Sequence, residues 1–426
     1  MFAPRPARSP SFSFPVQCNW LKSNGSWPVR KDNTAFGFFY YYWSIFVILL
    51  VAATCTFQVW YMVDNIGDIL KVTENCCTSF MGLHTLLRLI HMWFKRRQMK
   101  TLMANFTQHI YVTTITDAKI KAQCNRELVV YSVMSAMLFS LICMYCILPL
   151  AELFSDLNAP ERPFPYKMVF PYYAQRGAPY VITYIYTAFA GFVAVTTLFS
   201  EDSLFGFFII HTCGRFKVLH KQIEQVLPRS YSSAFDKYGE DVTEKVVQNE
   251  YNLELRRIIR AHNVLIKFCM DLDDFCSPYL LANFLISSFL ICVVGFQLFT
   301  VKMSLVNLIK FGVYIISELS QLFIICWSGD KLINNSMDTA WKLYSCNWEG
   351  TSMSLYKGSG RNGKEEYRCP SDIEFMKRMI LVMLRSQKPL RITALKFSVL
   401  SLQSFTKILS TSMSYFTLLQ AVYGKE

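Results

Sequence analysis

Long uncharged, apolar segments recur along the chain and are separated by segments rich in charged residues. Residues 36–63, 128–151, 177–200 and 275–301 contain no charged side chain. Residues 303–329 and 395–422 are similarly apolar and contain two charged side chains each. A helix needs about 20 apolar residues to cross a bilayer. The pattern therefore predicts six membrane-spanning helices.

A further helical segment covers residues 73–94 and is interrupted by His84 and Arg88. We assign it as the second span, because without it the charges of the connecting segments do not alternate across the membrane. The prediction is an all-α, polytopic membrane protein with seven transmembrane helices. Composition agrees, because only 17% of the residues are charged and 53% are hydrophobic, whereas a soluble domain has about 25% charged residues.

Positive charge predicts the orientation of these helices. With the N-terminus in the cytosol, the inside segments are 1–35, 95–127, 201–274 and 330–391, and they hold 33 of the 43 Lys and Arg residues. Cytosolic loops are enriched in Lys and Arg, so we expect a cytosolic N-terminus and an extracellular C-terminus. This orientation is the inverse of G-protein-coupled receptors, and neither a DRY-type triplet after span 3 nor an NPxxY motif in span 7 is present.

The same features exclude several other classes of protein. The net charge of +13 belongs to the inside segments, so no nucleic-acid partner is predicted. The sequence has six His residues, no HExxH motif, no two CxxC motifs at the spacing of a metal site and no Gly-rich phosphate loop. We therefore predict no enzyme activity, no cofactor and no metal site. The predicted spans make the lipid bilayer one of the partners of this chain.

Span 7 carries a polar stripe along one face. At about 100° per residue, a single face contains Lys407, Thr411, Ser414, Leu418 and Val422. The stripe is polar over its inner part and becomes apolar near the outer end. One interpretation is a helix that lines a wet vestibule closed by an apolar constriction. The other is that Lys407 reaches the interface and that the small residues pack inside a bundle. The stripe leaves both open.

The long inside segments contain helical residues of their own. Residues 372–385 form a helical stretch that is too short and too charged to span a membrane. Together with 201–274, it predicts cytosolic extensions suited to subunit packing. The predicted division is a cytosolic N-terminal segment (1–35), transmembrane helices 1–6 (36–329), a cytosolic loop with an anchor helix (330–391), and transmembrane helix 7 with the extracellular C-terminus (392–426).

The C-terminal part of the chain resembles insect odorant receptors. The similar residues are RSQKPLR at 385–391, LSL at 400–402, Phe405 and SYFTLL at 414–419, preceded by Ser336, Ala340, Tyr344 and Trp348. With the seven spans and the inverted orientation, the resemblance covers essentially the whole chain. The TYxxxxxQF motif of gustatory receptors is absent, and the co-receptor of the family ends in a different sequence. The chain is thus similar to a ligand-tuned member.

The resemblance implies a ligand-gated, non-selective cation channel, formed as a heterotetramer with the co-receptor in the dendritic membrane of an olfactory sensory neuron. The ligand is a small volatile compound. In such channels the constriction falls at the positions of Leu418 and Val422. The co-receptor has a polar Gln beside the gate where this chain has Ala421, so the resemblance does not imply that this chain contributes to ion selection. The alternatives are a gustatory-type channel and a metabotropic, G-protein-coupled receptor.

The resemblance also implies where ligand and partner bind. The family's pocket lies in the outer half of spans 2, 3, 4 and 6, which contain Phe80, His84, Leu141, Tyr145, Tyr184, Ala188, Phe192, Phe311 and Tyr314. The alternative for each is ordinary core packing, because aromatic residues are common throughout the chain. The residues we predict at the subunit interface are Trp348, Phe375, Arg385 and Pro389.

Overall fold

A computed structural model describes residues 15–28, 35–155, 162–239, 242, 244–300, 305–346, 353–355, 365–367 and 373–423. The helices are α1 (Pro15–Ser23), α2 (Ala35–Asp64), α3 (Ile69–Phe94), α4 (Arg96–Phe106), α5 (Val112–Thr116), α6 (Ala118–Ser155), α7 (Gly177–Glu224), α8 (Val226–Tyr238), α9 (Glu244–Thr300), α10 (Leu305–Ser345), α11 (Ile373–Ser386) and α12 (Leu402–Tyr423), with a π-helical turn at Thr107–Tyr111. The antiparallel strand pairs are β1 (Met353–Leu355) with β2 (Glu365–Tyr367), and β3 (Thr393–Ala394) with β4 (Ser398–Val399).

Within the described ranges, five helices are long and apolar enough to cross a membrane: α2, α6, α7, α9 and α10. The predicted all-α, polytopic membrane fold is therefore confirmed. Helices α3 and α12 correspond to the predicted spans 2 and 7, and at 26 and 22 residues they reach the length of about 20 that a span requires. Neither contains a stretch as apolar as those of the other five. Their insertion and the orientation of the chain stay predictions.

Three helices continue well past the predicted spans. Helix α7 runs on to Glu224, α9 begins already at Glu244, and α10 extends to Ser345. The boundary predicted at residue 329 consequently lies inside α10. These extensions pack with α4, α8 and α11 around a large apolar core. In these three helices, charged residues mark the end of the apolar segment but do not end the helix, so the charge pattern does not predict where the helix ends.

Asp117 connects α6 with α7 outside the membrane segments. Its carboxylate accepts hydrogen bonds from the backbone N–H groups of Lys119 and Ile120, both at 3.1 Å, and so caps the start of α6. It also pairs with Lys221 near the end of α7. The Lys221 ammonium and the cap hydrogen bonds hold the pKa of Asp117 below its usual range.

Helix α7 lies at the centre of the molecule and packs against α1, α2, α3, α6, α9 and α10. Its residues are buried almost continuously from Ala190 to Phe216. Small residues permit this packing, as in other membrane helix bundles. Gly206 is the clearest case, because a Cβ atom there would lie 2.0 Å from the ring of Tyr131 on α6.

The residues before α12 form a tight hairpin instead of the helix start predicted at residue 395. Leu395 and Lys396 have φ values of 47° and 63°, which a right-handed helix does not contain. The backbone N–H of Thr393 donates to Asp273 Oδ1 of α9 at 2.6 Å. That of Leu395 donates to Ser277 Oγ at 2.6 Å. The hairpin therefore attaches the start of α12 to α9.

Candidate functional site

Among the described residues, helix α12 packs against the rest of the chain with one face. The rings of Phe405 and Phe323 lie 5.5 Å apart, and those of Phe416 and Phe299 lie 5.9 Å apart. Ser412 is fully buried, and its hydroxyl lies 3.0 Å from that of Ser288 on α9. This face therefore rests on α9 and α10.

The predicted stripe lies on the opposite face of α12. Lys407, Thr411, Ser414 and Ala421 are exposed, and Leu418 is 63% exposed. At about 100° per residue, the stripe and the packed face point about 150° apart. The side chain of Val422 lies outside the described residues. One interpretation of the stripe was that its small residues pack inside the bundle. Among the described residues, no part of this chain packs against them.

A cavity of about 630 Å³ opens at the predicted outer end of the bundle, between α2, α3, α6, α10 and residues 162–175. Its walls include Tyr61, Glu74, Asn75, Tyr145, Tyr166 and Lys310. Tyr145 belongs to the predicted pocket residues. Glu74 pairs with Lys167, and Lys310 Nζ lies 5.2 Å from the ring centre of Tyr145. The mouth of the cavity is therefore polar and carries both signs of charge.

Beneath this cavity lies an apolar cluster that brings together five of the nine predicted pocket residues. Leu141, Phe311 and Tyr314 are buried in the cluster, and Phe80 and Tyr145 pack against it. The hydroxyl of Tyr314 donates to a backbone carbonyl of α3 at 2.7 Å. These side chains pack against one another in this structure, so a ligand here must separate them or extend down from the cavity.

The three predicted pocket residues on α7 lie elsewhere on the bundle. Tyr184 donates its hydroxyl to the backbone carbonyl of Cys146. The ring of Phe192 lies 5.4 Å from that of Trp20 on α1, so the N-terminal helix covers it. Ala188 is partly exposed on the same helix. Sequence reasoning did not anticipate the contact with α1, because nothing local in either segment indicates it.

His84, the ninth predicted residue, belongs to a buried ionic network. Arg88 Nε donates to His84 Nε2 at 3.0 Å, and Arg88 Nη1 donates to Asp202 Oδ1 at 2.7 Å. Arg88 Nη2 donates to Asn283 Oδ1 at 3.3 Å. Gln321 donates to the other oxygen of Asp202. The network joins α3, α7, α9 and α10. The signal for it was Arg88 itself, because a charge inside a membrane segment needs a partner.

Exposed apolar side chains lie on the extended ends of the helices and on the hairpin that replaces the first residues of the predicted span 7. Trp341 on α10 is 66% exposed, Leu381 and Leu384 on α11 are exposed, and Phe397 in the hairpin is 84% exposed. We call these four residues the apolar patch. Among the predicted interface residues, Arg385 is exposed and Pro389 is partly buried. Trp348 and the side chain of Phe375 lie outside the described residues.

Three comparisons relate the chain to known proteins. The family model described as 7tm Odorant receptor matches residues 68–413. Odorant receptor 13a of Drosophila melanogaster is 44% identical over 423 residues, which cover 97% of this chain and 96% of the relative. Odorant receptor 22c of the same species is 26% identical over 61% of this chain and 58% of its own length.

The fold has solved counterparts as well. The insect olfactory receptor OR5 from Machilis hrabei, solved in complex with eugenol, matches with a TM-score of 0.72 at 17% sequence identity. The match covers 95% of this chain and 97% of that chain. A structure of the same receptor matches with a TM-score of 0.70. The chain belongs to the odorant receptor family. It is a multi-pass membrane receptor and not an enzyme.

Proposed function

We propose that this chain is the ligand-tuned subunit of an odorant-gated, non-selective cation channel that it forms with the family's co-receptor. The channel opens in the dendritic membrane of an olfactory sensory neuron. The exposed stripe of α12 is the observation that supports the proposal most directly, because a spanning helix with an uncovered polar face and a charged Lys407 needs water or other subunits along that face.

The stripe supports a specific gate. Leu418 and Val422 are one helical turn apart, so apolar side chains from neighbouring subunits close the outer end of the pore by excluding water. Thr411 and Ser414 line the wider, wet part below them. Ala421 contributes no polar group beside the gate, so the co-receptor supplies most of the ion selection.

Ligand binding takes place at the outer cavity and the apolar cluster beneath it. A cavity of about 630 Å³ falls within the size range of small-molecule sites, about 300–1,000 Å³, which are mostly apolar with a few polar groups. Tyr145 borders both regions. The Machilis receptor solved with eugenol supports a small volatile as the class of ligand. Binding shifts the equilibrium between closed and open states by the difference in affinity for the two.

The co-receptor binds along the extended ends of the helices, at the apolar patch. Large exposed apolar side chains outside the membrane segments mark interaction surfaces, and Trp is enriched where interface energy concentrates. Replacing Trp341 with Ala lowers recovery of the co-receptor in a pull-down from detergent extracts. Replacing Arg97, an exposed residue of α4, with Ala is the control and leaves recovery unchanged.

Whole-cell recording tests the proposed function. The chain and the co-receptor are expressed separately and together, and a panel of volatiles is applied in the presence of a G-protein inhibitor. We expect currents that Na⁺ and K⁺ both carry and that the inhibitor does not block. The set of volatiles that evoke them changes when this chain is left out. Currents that the inhibitor abolishes contradict the proposal and favour the metabotropic alternative. Epitope tags on both ends report the orientation in intact cells.

A further inference from the structure

Residues 162–175, which we call the outer segment, lie between α6 and α7 in the chain, and residues 162–168 and 175 line the cavity. The backbone N–H of Val169 donates to the carbonyl of Phe57 on α2 at 3.3 Å. Lys167 pairs with Glu74 on α3. The outer segment is therefore attached to two membrane helices on either side of the cavity.

One side chain of the outer segment, Tyr166, inserts into the bundle. Its ring stacks on Tyr145 with 5.6 Å between ring centres and an interplanar angle of 27°. Its tip reaches α7 at Gly191, where a Cβ atom would lie 2.0 Å from the Tyr166 hydroxyl. The ring also packs against the apolar cluster that contains Ile142. Only glycine leaves room for the ring at this point of α7.

Other tyrosines of the outer segment are placed differently. Tyr172 and Tyr173 are exposed, and Tyr172 bonds through its hydroxyl to Thr183 Oγ1 at 2.7 Å. Tyr166 differs because it lines the cavity and also contacts the core behind it. A single phenol ring from a loop thus occupies the space between the cavity and the helices that carry the predicted pocket residues.

We propose that Tyr166 is a tethered aromatic occupant of the ligand pocket and that it determines which ligands the pocket admits. This inference rests on the proposed function for its connection to odorants. With Tyr166 seated, the pocket is limited to the outer cavity. When the ring leaves, the seat between Tyr145 and Gly191 admits a monocyclic aromatic compound of phenol size, because an aromatic ring prefers such stacked contacts and a vacated apolar cavity binds a ring of matching size.

Thiol labelling tests the seat without any need for a known odorant. Cys146 packs against the same cluster as Tyr166, and its labelling from outside by a membrane-impermeant maleimide is measured on intact cells with the co-receptor. The signal is the difference from the same variant carrying Cys146→Ser. We expect Tyr166→Ala to label several-fold faster than the unchanged chain. Tyr166→Phe, which keeps the ring, and Tyr172→Ala, the matched control, label at the original rate.

Adding 4-methylphenol, the free form of the tyrosine side chain, completes the experiment. It restores slow labelling in Tyr166→Ala and has no effect in Tyr172→Ala. In recordings, Tyr166→Ala gains a response to 4-methylphenol that the control lacks. Gly191→Ala is the second variant, because the added methyl group displaces the ring. It labels several-fold faster than the unchanged chain, and this comparison holds even where Tyr166→Ala does not reach the cell surface.

The outcomes separate this inference from the proposed function. Unchanged labelling of Cys146 in both Tyr166→Ala and Gly191→Ala overturns the tethered occupant. Faster labelling without protection by 4-methylphenol overturns the assignment of an aromatic seat. Faster labelling with protection, in cells where no volatile evokes a current in any variant, supports the occupant and contradicts the odorant-gated channel.

Discussion

Helices α7 and α12 contain the same kinds of small polar residues and bury them to opposite extents. Thr196, Thr197 and Ser200 of α7 are fully buried, whereas Thr411 and Ser414 of α12 are exposed. In both helices the hydroxyl groups donate to carbonyls of the preceding turn, as Ser200 does at 2.6 Å and Thr411 at 2.9 Å. The residue types and their local hydrogen bonds are therefore alike, and only the surroundings differ.

The surroundings show two uses of one composition. Around α7, small residues allow close approach of neighbouring helices, which is how membrane bundles gain packing energy. On α12, they leave one face smooth and polar, and no other helix of the described part covers it. A membrane helix with an uncovered polar face is unstable alone in lipid. The comparison thus predicts that changes on α7 affect folding, and that changes on the α12 stripe affect conduction.

The largest effect is expected where α7 meets the buried ionic network. Arg88 Nη1 also lies 4.0 Å from Glu201 Oε2, next to Asp202. Arg88→Met leaves both carboxylates buried without their cation, and removing one partner of a buried ion pair costs about 3–5 kcal/mol. We expect almost no Arg88→Met protein at the cell surface by biotinylation. Arg97→Met, at an exposed position of α4, is the control and remains at the cell surface. Normal surface level and normal thermal stability of Arg88→Met would mean that the network is not needed for folding.

A matched pair of serine substitutions compares the two helices directly. Ser200→Val places extra methyl groups in a packed interface, which typically costs about 1–3 kcal/mol. Ser414→Val adds the same atoms to an exposed face and leaves stability unchanged. Thermal unfolding of purified protein is expected to show a lower Tm for Ser200→Val alone, whereas single-channel recording shows a changed conductance for Ser414→Val. The reverse pattern contradicts the comparison.

Much of this architecture could be predicted from the sequence, because it depends on local pattern. The uncharged segment 36–63 coincides with α2 (Ala35–Asp64) within one residue at each end. The stripe on α12 followed from helical spacing alone. Each feature lies within a single helix, so residues close together in the chain are enough to predict it.

The contacts between distant parts of the chain could not be predicted in this way. Three contacts depend on which helices are neighbours: that of Arg88 with α7, that of Trp20 with Phe192, and that of Tyr166 with Gly191. A residue list does not contain that arrangement. For this reason the pocket prediction placed His84 among ligand-binding residues, whereas the structure has it accepting a hydrogen bond from Arg88.

The gate provides the third prediction. Leu418→Ser makes the constriction polar, so water enters more readily and the closed state is less favoured. We expect a larger ligand-free current in cells that also express the co-receptor. Met413→Ser is the matched control, because Met413 is 52% exposed but lies off the stripe. Equal ligand-free currents in the two variants, at equal surface levels, would show that the stripe does not form the gate.

The smallest effect is expected at Lys407, where the charge of the stripe lies in its wide, wet part. Lys407→Gln removes a positive charge from a cation path and modestly raises inward cation current, because water and salt screen most of its field. Screening weakens at low ionic strength, where the Debye length grows from about 10 Å at 0.1 M to about 30 Å at 0.01 M. The increase over the unchanged channel is therefore larger in dilute solution. The control is Lys388→Gln, because Lys388 is exposed just after α11, and its current does not depend on salt in this way. If Lys407→Gln raises the inward current equally at both salt concentrations, Lys407 lies outside the ion path.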